Sequence, residues 1–252
     1  MHLDGKKALV TGGGVGVGKA IASGLARLGC DVAVNYSRSK EQCDRTASEL
    51  SELGVEAISL KADVGDDAQA RSMVEQAASA LGGLDVLVNN AGTTCFVPHL
   101  DLEGVEVEEW DRIMATNVKG TFFCTRAAAP LLKAGEGGSV LNVSSVAGVY
   151  GIGSSIPYCA SKAAVNSLTV TMSRVLAPEV RVNAVAPGFV DTRWWREREN
   201  YEPMKQMAAA VSLLKRVCSA EDVACVALDL IVADMVTGQV VVVDGGLGHA
   251  NG

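Results

Sequence analysis

The sequence predicts an α/β fold, namely one doubly wound parallel sheet of seven strands with helices on both faces. Short, continuous apolar runs recur along the chain, and segments with an apolar residue every three or four positions separate them. Continuous apolar runs are typical of parallel strands buried on both faces. Because the two kinds of segment alternate almost without a break, a parallel sheet with right-handed crossovers is expected.

Each strand and helix of this fold can be assigned to a segment. The strands are 7–11, 32–36, 56–60, 85–89, 139–144, 181–186 and 239–244. The helices, recognised by an apolar period near 3.6 residues, are 16–28, 40–53, 66–81, 108–134, 157–176 and 219–232. Since no linker, repeat or low-complexity tract interrupts the pattern, residues 1–252 are predicted to form a single domain.

Segment 190–217 departs from this alternation. It contains two of the three tryptophans, a run of alternating charge and a helical tail. It follows the end of a strand, which is where open α/β sheets bind ligands. We therefore interpret it as a substrate flap, with a plain surface excursion as the alternative.

Composition excludes several classes of function. The net charge of −7 and the pI of about 5.0 argue against nucleic acid as a partner, because nucleic acid requires a basic face. No apolar run reaches the roughly 20 residues of a membrane span, and the first residues lack the apolar centre of a signal peptide. Seven scattered cysteines without C-x-x-C spacing favour reduced thiols and a cytoplasmic location. The three histidines are dispersed, so no metal site is expected.

A glycine-rich loop, TGGGVGVG, follows the first strand and opens the first helix. Glycines let the backbone turn tightly, so that its N–H groups and the helix N-terminus can bind a pyrophosphate. The loop fits no register of G-x-G-x-x-G, and Lys19 followed by Ala20 is not the G-K-[ST] of a P-loop, so nucleotide hydrolysis is disfavoured. The predicted dinucleotide contacts here are Thr11, Gly12, Gly14, Val15, Gly16, Val17 and Gly18.

The end of the second strand bears on the choice of cofactor. Many NAD enzymes carry an acid there, which binds the ribose and repels a 2′-phosphate. This chain has Tyr36, Ser37 and Arg38 instead, and a hydroxyl with a guanidinium can bind a phosphate dianion. NADP(H) is therefore favoured over NAD(H), although Val15 leaves the loop without a second basic residue and Arg38 alone is also consistent with a solvated surface cation.

Further motifs follow in order: NNAG at 89–92, Asn117 inside a predicted helix, NVSS ending at Ser145, and a proline–glycine pair after the sixth strand. Tyr158 and Lys162 lie four residues apart and so share one helical face. From Lys6 to about Gly246 the sequence resembles the short-chain dehydrogenase/reductase family, including members of the 3-oxoacyl-acyl-carrier-protein reductase and glucose 1-dehydrogenase types.

The resemblance implies a Rossmann-type domain that interconverts alcohols and carbonyls with a nicotinamide cofactor. It implies Tyr158 as the acid/base, Ser145 as the partner of the substrate oxygen, Lys162 as the group that tunes the tyrosine, and Asn117 as the anchor of a proton-relay water. It also implies cofactor contacts by Asp63 and Val64 at the adenine, by Asn90, Ala91 and Gly92 in the cleft, and by Pro187, Gly188, Val190 and Thr192 near the nicotinamide, with Tyr158 and Lys162 touching the cofactor as well.

The spacing of Tyr158 and Lys162 has a chemical interpretation. A free tyrosine has a pKa near 10. An ammonium about 4 Å away, at an effective dielectric near 20, is worth about 4 kcal/mol, or roughly three pKa units. Desolvation opposes this effect. We expect Lys162 to lower the pKa of Tyr158 on balance.

The substrate is less well defined. The predicted pocket comprises Phe96, Ser145, Ala147, Tyr150, Ile152, Phe189, Trp194 and Trp195. Because the chain is acidic and an acyl carrier needs a basic rim, a small, freely diffusing ketone or alcohol is favoured over a 3-oxoacyl-carrier substrate. A non-catalytic NADP(H)-sensing regulator is a third alternative, but it requires an incomplete catalytic set.

Two surfaces predict assembly. Helices 108–134 and 157–176 are apolar over much of their circumference, and in the resembled family they pair across a two-fold axis. The last strand is expected at the edge of the sheet, where it offers a second interface. Two interfaces favour dihedral symmetry and hence a homotetramer.

Overall fold

The computed structural model describes residues 1–249 and contains one sheet of seven parallel strands. The strands are β1 (Lys7–Val10), β2 (Asp31–Tyr36), β3 (Ala57–Lys61), β4 (Val86–Asn89), β5 (Gly138–Val143), β6 (Val180–Pro187) and β7 (Val240–Val243). Their order is β3-β2-β1-β4-β5-β6-β7, so the winding reverses between β1 and β4. The predicted doubly wound fold is confirmed, and each predicted strand end lies within one residue of the observed one.

Helices cover both faces of this sheet. They are α1 (Gly16–Arg27), α2 (Lys40–Ser51), α3 (Asp67–Leu81), α4 (Val107–Met114), α5 (Gly120–Ala134), α6 (Ala147–Tyr150), α7 (Ile156–Leu176), α8 (Arg193–Arg196), α9 (Tyr201–Val211) and α10 (Ala220–Val232). One core lies under α1, α2 and α10, and a second lies under α3, α5 and α7. Along β1, Ala8 and Val10 enter the first core and Leu9 the second, which is why an uninterrupted apolar run encodes this strand.

One helix prediction needs correction. The segment predicted as a single helix over 108–134 is α4 and α5 joined by a π-helical turn, Ala115–Lys119. A π turn holds an additional residue, which an apolar period cannot reveal. Inside the predicted flap, the structure has the two short helices α8 and α9.

A buried polar network ties the middle of the sheet to the helices above it. The Asn89 amide donates to Thr125 Oγ1 and Asn142 Oδ1, both at 2.9 Å, and the Asn142 amide donates to Thr169 Oγ1 at 2.9 Å. Since buried polar groups need partners, this network fixes β4 and β5 relative to α5 and α7. These are the elements that carry the candidate site.

Within residues 1–249, no helix combines the length and the apolar character that crossing a membrane would require. All seven cysteines are free thiols. Within the same residues, no group of three or more His, Cys, Asp or Glu side chains is arranged to hold a metal ion.

Candidate active site

Two buried or half-buried amides hold the glycine loop. Asn35 of β2 accepts the N–H of Gly12 at 3.2 Å and donates to the carbonyls of Leu60 and Ala62 at 3.3 and 3.1 Å. These bonds connect the loop to β2 and β3. Sequence reasoning missed Asn35, because an asparagine inside an apolar strand was its only signal.

Asn90 holds the loop from the other side. Its amide donates to the carbonyls of Thr11 and Gly12, both at 3.0 Å, while Thr11 Oγ1 accepts the N–H groups of Asn90 and Ala91 at 3.0 Å. A Cβ at Gly18 would collide with the Asn90 amide, so this close approach requires glycine. Four of the predicted cofactor residues thus form the scaffold of the loop: Thr11, Gly18, Asn90 and Ala91.

The loop fits a dinucleotide pyrophosphate. Gly12 and Gly16 have φ of +61° and +55°, which favour glycine. No side chain caps the start of α1 at Val15, and its first turn holds no acid, so its N–H groups remain available to an anion. Gly14 has a different task, because its Cβ would lie 2.9 Å from the Cα of Cys43 and would push α2 away. Val17 packs against the core.

The end of β2 is open and basic. Ser37 and Arg38 are exposed beside half-buried Tyr36, and Arg38 takes part in no ion pair within the described part of the chain. The flap brings a second cation here, since the Arg193 guanidinium donates to Ser39 Oγ at 3.4 Å. The sequence could not show this long-range contact. It supplies a second basic residue, which the glycine loop lacks because it has Val15.

Asp63 and Val64 follow the end of β3, but the first is exposed and the second is buried. Asp63 is exposed and accepts the N–H of Gly65 at 2.9 Å. Val64 is buried, and a Cβ at Gly120 would lie 2.7 Å from its side chain, so Val64 fastens α5 to this edge. The predicted contacts with adenine would therefore be made by the side chain of Asp63 and by the backbone of Val64.

Helix α7 carries the central pair. Ser155 caps the helix by accepting the N–H of Tyr158 at 3.4 Å. One turn later Lys162 is buried, with its Nζ 5.8 Å from the centre of the Tyr158 ring and 2.7 Å from the carbonyl of Val143, to which it donates. The structure thus brings the two residues together at the end of β5.

Ser145 completes this group. Its Oγ accepts the N–H of Ala147 at 3.1 Å and donates weakly to the carbonyl of Pro187 at 3.5 Å. The Ser145 hydroxyl also lowers the pKa of the Tyr158 phenol. Three chain segments therefore converge on one point, namely the residues after β5, helix α7 and the last residue of β6.

Burial controls the protonation of this group. It raises the pKa of Tyr158 to about 12, against the smaller effect of the Ser145 hydrogen bond, and it lowers the pKa of Lys162 to about 8. The prediction that Lys162 lowers the pKa of Tyr158 is therefore wrong for the protein alone. The Lys162 ammonium is directed at the Val143 carbonyl, and the loss of water around the phenol outweighs its attraction.

Asn117 lies in the π turn and is buried. Its Oδ1 accepts the N–H of Thr93 at 2.8 Å, and its Nδ2 donates to Thr93 O at 3.0 Å and to Ser161 Oγ at 2.9 Å. Asn117 thus joins the loop after β4 to α7. Arg112, which sequence reasoning missed, supports the same loop by bonding Thr93 Oγ1 and the carbonyl of Thr94.

The residues after β6 line the other side of the cleft. Gly188 lies close to Asp244, because its Cβ would be 2.7 Å from that side chain, and buried Val190 forms a bridge with Cys218. Thr192 faces the glycine loop, since a Cβ at Gly16 would lie 3.5 Å from its methyl group. Across the cleft, a Cβ at Gly92 would lie 3.7 Å from the Lys162 ammonium.

A cavity of about 370 Å³ adjoins the site. Among the predicted pocket residues, Phe96, Ile152 and Trp195 line it, Phe189 stacks on Trp195 at 4.8 Å, and the Trp194 ring lies 6.1 Å from that of Tyr158. The other two predicted pocket residues, Ala147 and Tyr150, do not line this cavity. Ala147 is buried and offers Ser145 its N–H, while Tyr150 packs its ring against Gly248 and His249, because the short helix α6 turns it towards the end of the chain.

Asp191 holds the flap in place. Its carboxylate accepts from Arg196 Nε at 2.6 Å, Tyr201 Oη at 2.6 Å and Lys205 Nζ at 2.7 Å. The hydrogen bond from Arg196 is the main cause of a pKa well below the usual aspartate range. One residue shortly after β6 therefore fixes both α8 and α9.

This doubly wound fold, with a glycine-rich loop where the winding of the sheet reverses, is of the dinucleotide-binding type. The chain belongs to the short-chain dehydrogenase/reductase family, since the family model described as short chain dehydrogenase matches residues 6–203.

Individual relatives match nearly full length. A Streptomyces violaceoruber protein named "granaticin polyketide synthase putative ketoacyl reductase 2" is 43% identical over 239 residues, 95% of this chain and 94% of the relative. The 3-oxoacyl-acyl-carrier-protein reductase FabG of Staphylococcus aureus is 38% identical over 246 residues, 96% of this chain and 98% of the relative. A Burkholderia cenocepacia short chain dehydrogenase, solved in complex with NADP, has a TM-score of 0.90 at 32% identity, covering 98% of this chain and 100% of that one.

Proposed function

We propose that this chain interconverts a carbonyl and an alcohol with NADP(H), using Tyr158 as the general acid/base. The observation that carries the proposal is the convergence of Tyr158, Ser145 and Lys162 at the end of β5, beside a preformed dinucleotide loop. A bound nicotinamide supplies or accepts the hydride.

The residues have distinct tasks in carbonyl reduction. Ser145 donates to the substrate oxygen on which negative charge develops. Tyr158, whose pKa of about 12 keeps it protonated at neutral pH, donates a proton to that oxygen. Lys162, with a pKa of about 8, is then the adjacent positive charge that stabilises the phenolate. We assign the anchoring of a relay water to Asn117, whose side chain Thr93 and Ser161 hold rigidly.

The preference for NADP(H) rests on the end of β2. An acid that would repel a 2′-phosphate is missing there, Arg38 is exposed, and Arg193 reaches Ser39. Two guanidinium groups beside two serine hydroxyls can bind a phosphate dianion. The NADP complex of the Burkholderia cenocepacia relative supports the same assignment.

A 3-oxoacyl thioester is the second candidate substrate. The names of the granaticin and Staphylococcus aureus relatives favour it. A small, freely diffusing ketone or alcohol is favoured by the acidic charge of the chain and by the size of the cavity. A non-catalytic NADP(H) sensor is disfavoured, because such a protein requires an incomplete catalytic set and the chain carries Asn117, Ser145, Tyr158 and Lys162.

Replacing Tyr158 by phenylalanine tests this proposal. We expect Y158F to reduce a panel of ketones and 3-oxoacyl thioesters roughly 100- to 10,000-fold more slowly than the parent, with NADPH binding retained. Tyr150→Phe is the matched control, since its ring lies outside the cavity, and it should keep the parental rate. Unchanged turnover in Y158F would show that another group supplies the proton.

A further inference from the structure

The cavity beside Tyr158 has a single permanent charge in its wall. Twelve residues line it: Phe96, Val97, Pro98, His99, Gly151, Ile152, Gly153, Ser154, Trp195, Arg198, Asn200 and Met204. Arg198 is the one residue of this set with a permanent charge, and none of the twelve is acidic. The wall therefore offers a cation without a matching anion.

The Arg198 guanidinium is fixed in position. Its central carbon lies 3.7 Å from the centre of the Phe96 ring, and Phe96 meets Trp195 edge to face at 5.3 Å. A guanidinium over an aromatic face is stabilised, but its N–H groups point outward in the guanidinium plane and remain free for a ligand. Phe96 and Trp195 thus hold the charge at the cavity wall.

The Arg198 side chain has no hydrogen-bond or ion-pair partner within the described part of the chain. Its Nε is buried and without a hydrogen bond, and its guanidinium forms no ion pair there. A buried donor without an acceptor is costly. An anionic ligand would remove this cost, which is a second reason to place one here.

The same cavity adjoins the Tyr158 ring. A Cβ at Gly153, in the cavity wall, would lie 3.3 Å from Tyr158 Cδ1. Trp195, which also lines the cavity, stacks on Phe189 after β6. One ligand can therefore present its carbonyl to Tyr158 and a second group to Arg198.

We propose that Arg198 binds an anionic group on the substrate, so that the enzyme selects carbonyl compounds carrying a carboxylate or a phosphate. This inference rests on the proposed function and specifies its substrate class. A guanidinium suits either anion, because its N–H groups match two oxygens at once. The anion has two sources: the carboxylate of a free oxo acid, or the phosphate of a pantetheine arm carrying an oxoacyl thioester.

Two substrate pairs distinguish these sources. The first pair is 4-oxopentanoate and its methyl ester, and the second is acetoacetyl-CoA and acetoacetyl-N-acetylcysteamine, which lacks phosphate. We expect Arg198→Met to raise KM for the anionic member of one pair by roughly tenfold to a hundredfold, with kcat and the neutral member little changed. Arg198→Lys should restore part of the loss, and the affected pair identifies the anion.

Arg27→Met is the matched control, because Arg27 is an exposed arginine at the end of α1 farthest from the glycine loop. Three results would each overturn the inference and leave the proposed function standing. The first two are an equal effect of Arg198→Met on charged and neutral members, and no effect on either. The third is a parent that reduces neutral ketones but neither anionic compound. A parent that binds NADPH but turns over no carbonyl or alcohol in the full panel would overturn both.

Discussion

Lys162 places a buried ammonium 5.8 Å from the centre of the Tyr158 ring while donating to the Val143 carbonyl at 2.7 Å. Burial disfavours the charged form of both side chains, lowering the pKa of Lys162 to about 8 and raising that of Tyr158 to about 12. At neutral pH the protein alone therefore holds an ammonium next to a protonated phenol. This is the pair of protonation states that proton donation to a carbonyl requires.

The burial of Lys162 predicts a pH-dependent stability. Its folded pKa of about 8 lies below the ordinary 10.5, so between these values the unfolded state binds the additional proton and the free energy of unfolding rises with pH. From pH 7 to pH 9 this contributes about 1 kcal/mol to the parent, and Lys162→Met should lack that gain. Urea unfolding of both proteins at the two pH values measures the difference.

Lys61→Met provides the control for this experiment, because Lys61 is exposed at the end of β3. It should change stability equally at both pH values. If Lys162→Met gained stability between pH 7 and 9 as the parent does, the ammonium would not be desolvated as its position implies.

Arg38 should determine the choice between cofactors. Arg38→Ala is expected to raise KM for NADPH roughly tenfold and to change KM for NADH by less than about threefold, since only NADPH carries the 2′-phosphate. Arg193→Ala should act in the same direction. Steady-state kinetics with both cofactors make the measurement, with Arg27→Ala as the control, and an equal effect on both cofactors would contradict phosphate recognition.

Asp191 should control the closure of the flap. Asp191→Asn removes the charge that Arg196 and Lys205 share, so we expect faster proteolysis within residues 193–211 and a several-fold lower kcat/KM. The low pKa of Asp191 means that these contacts persist above about pH 4 and weaken only as pH falls further. Asp229→Asn, on the exposed face of α10, should leave both proteolysis and kinetics unchanged.

We propose that the protein assembles as a homotetramer. Strand β7 lies at the edge of the sheet, and Val175 on α7 is 62% exposed, which is unusual for a valine without a partner. Sedimentation should give about four times the 26.1 kDa of one chain, and Val175→Arg should reduce that mass. Monomer alone at micromolar concentration would rule the assembly out.

The residues that the sequence predicted well are those whose function depends on local spacing. Tyr158 and Lys162 share a helical face whatever surrounds them, and a buried parallel strand such as β4 is encoded by its own apolar run. The sign of the Tyr158 pKa shift was missed because it depends on which of two opposing effects is larger, and that depends on burial and on where Lys162 points.

The residues that the sequence did not reveal fall into two groups. Some have partners that are distant in the sequence, and one is oriented by a short helix. Asn35 bonds a loop 23 residues earlier, and Arg193 reaches Ser39 across 154 residues. Tyr150 carried no sign that α6 would direct it towards His249. Such contacts depend on tertiary packing, so single-sequence patterns do not contain them.

The π turn at Ala115–Lys119 sets the rotational phase of two helices. Within it Asn117 meets Thr93, and beyond it Thr125 meets Asn89. Deleting a single residue here would restore ordinary helical spacing but would rotate α5 by about 100° against α4, so that both contacts could not survive together. The chain is therefore more sensitive to a change of length at this point than to most substitutions on the same helix.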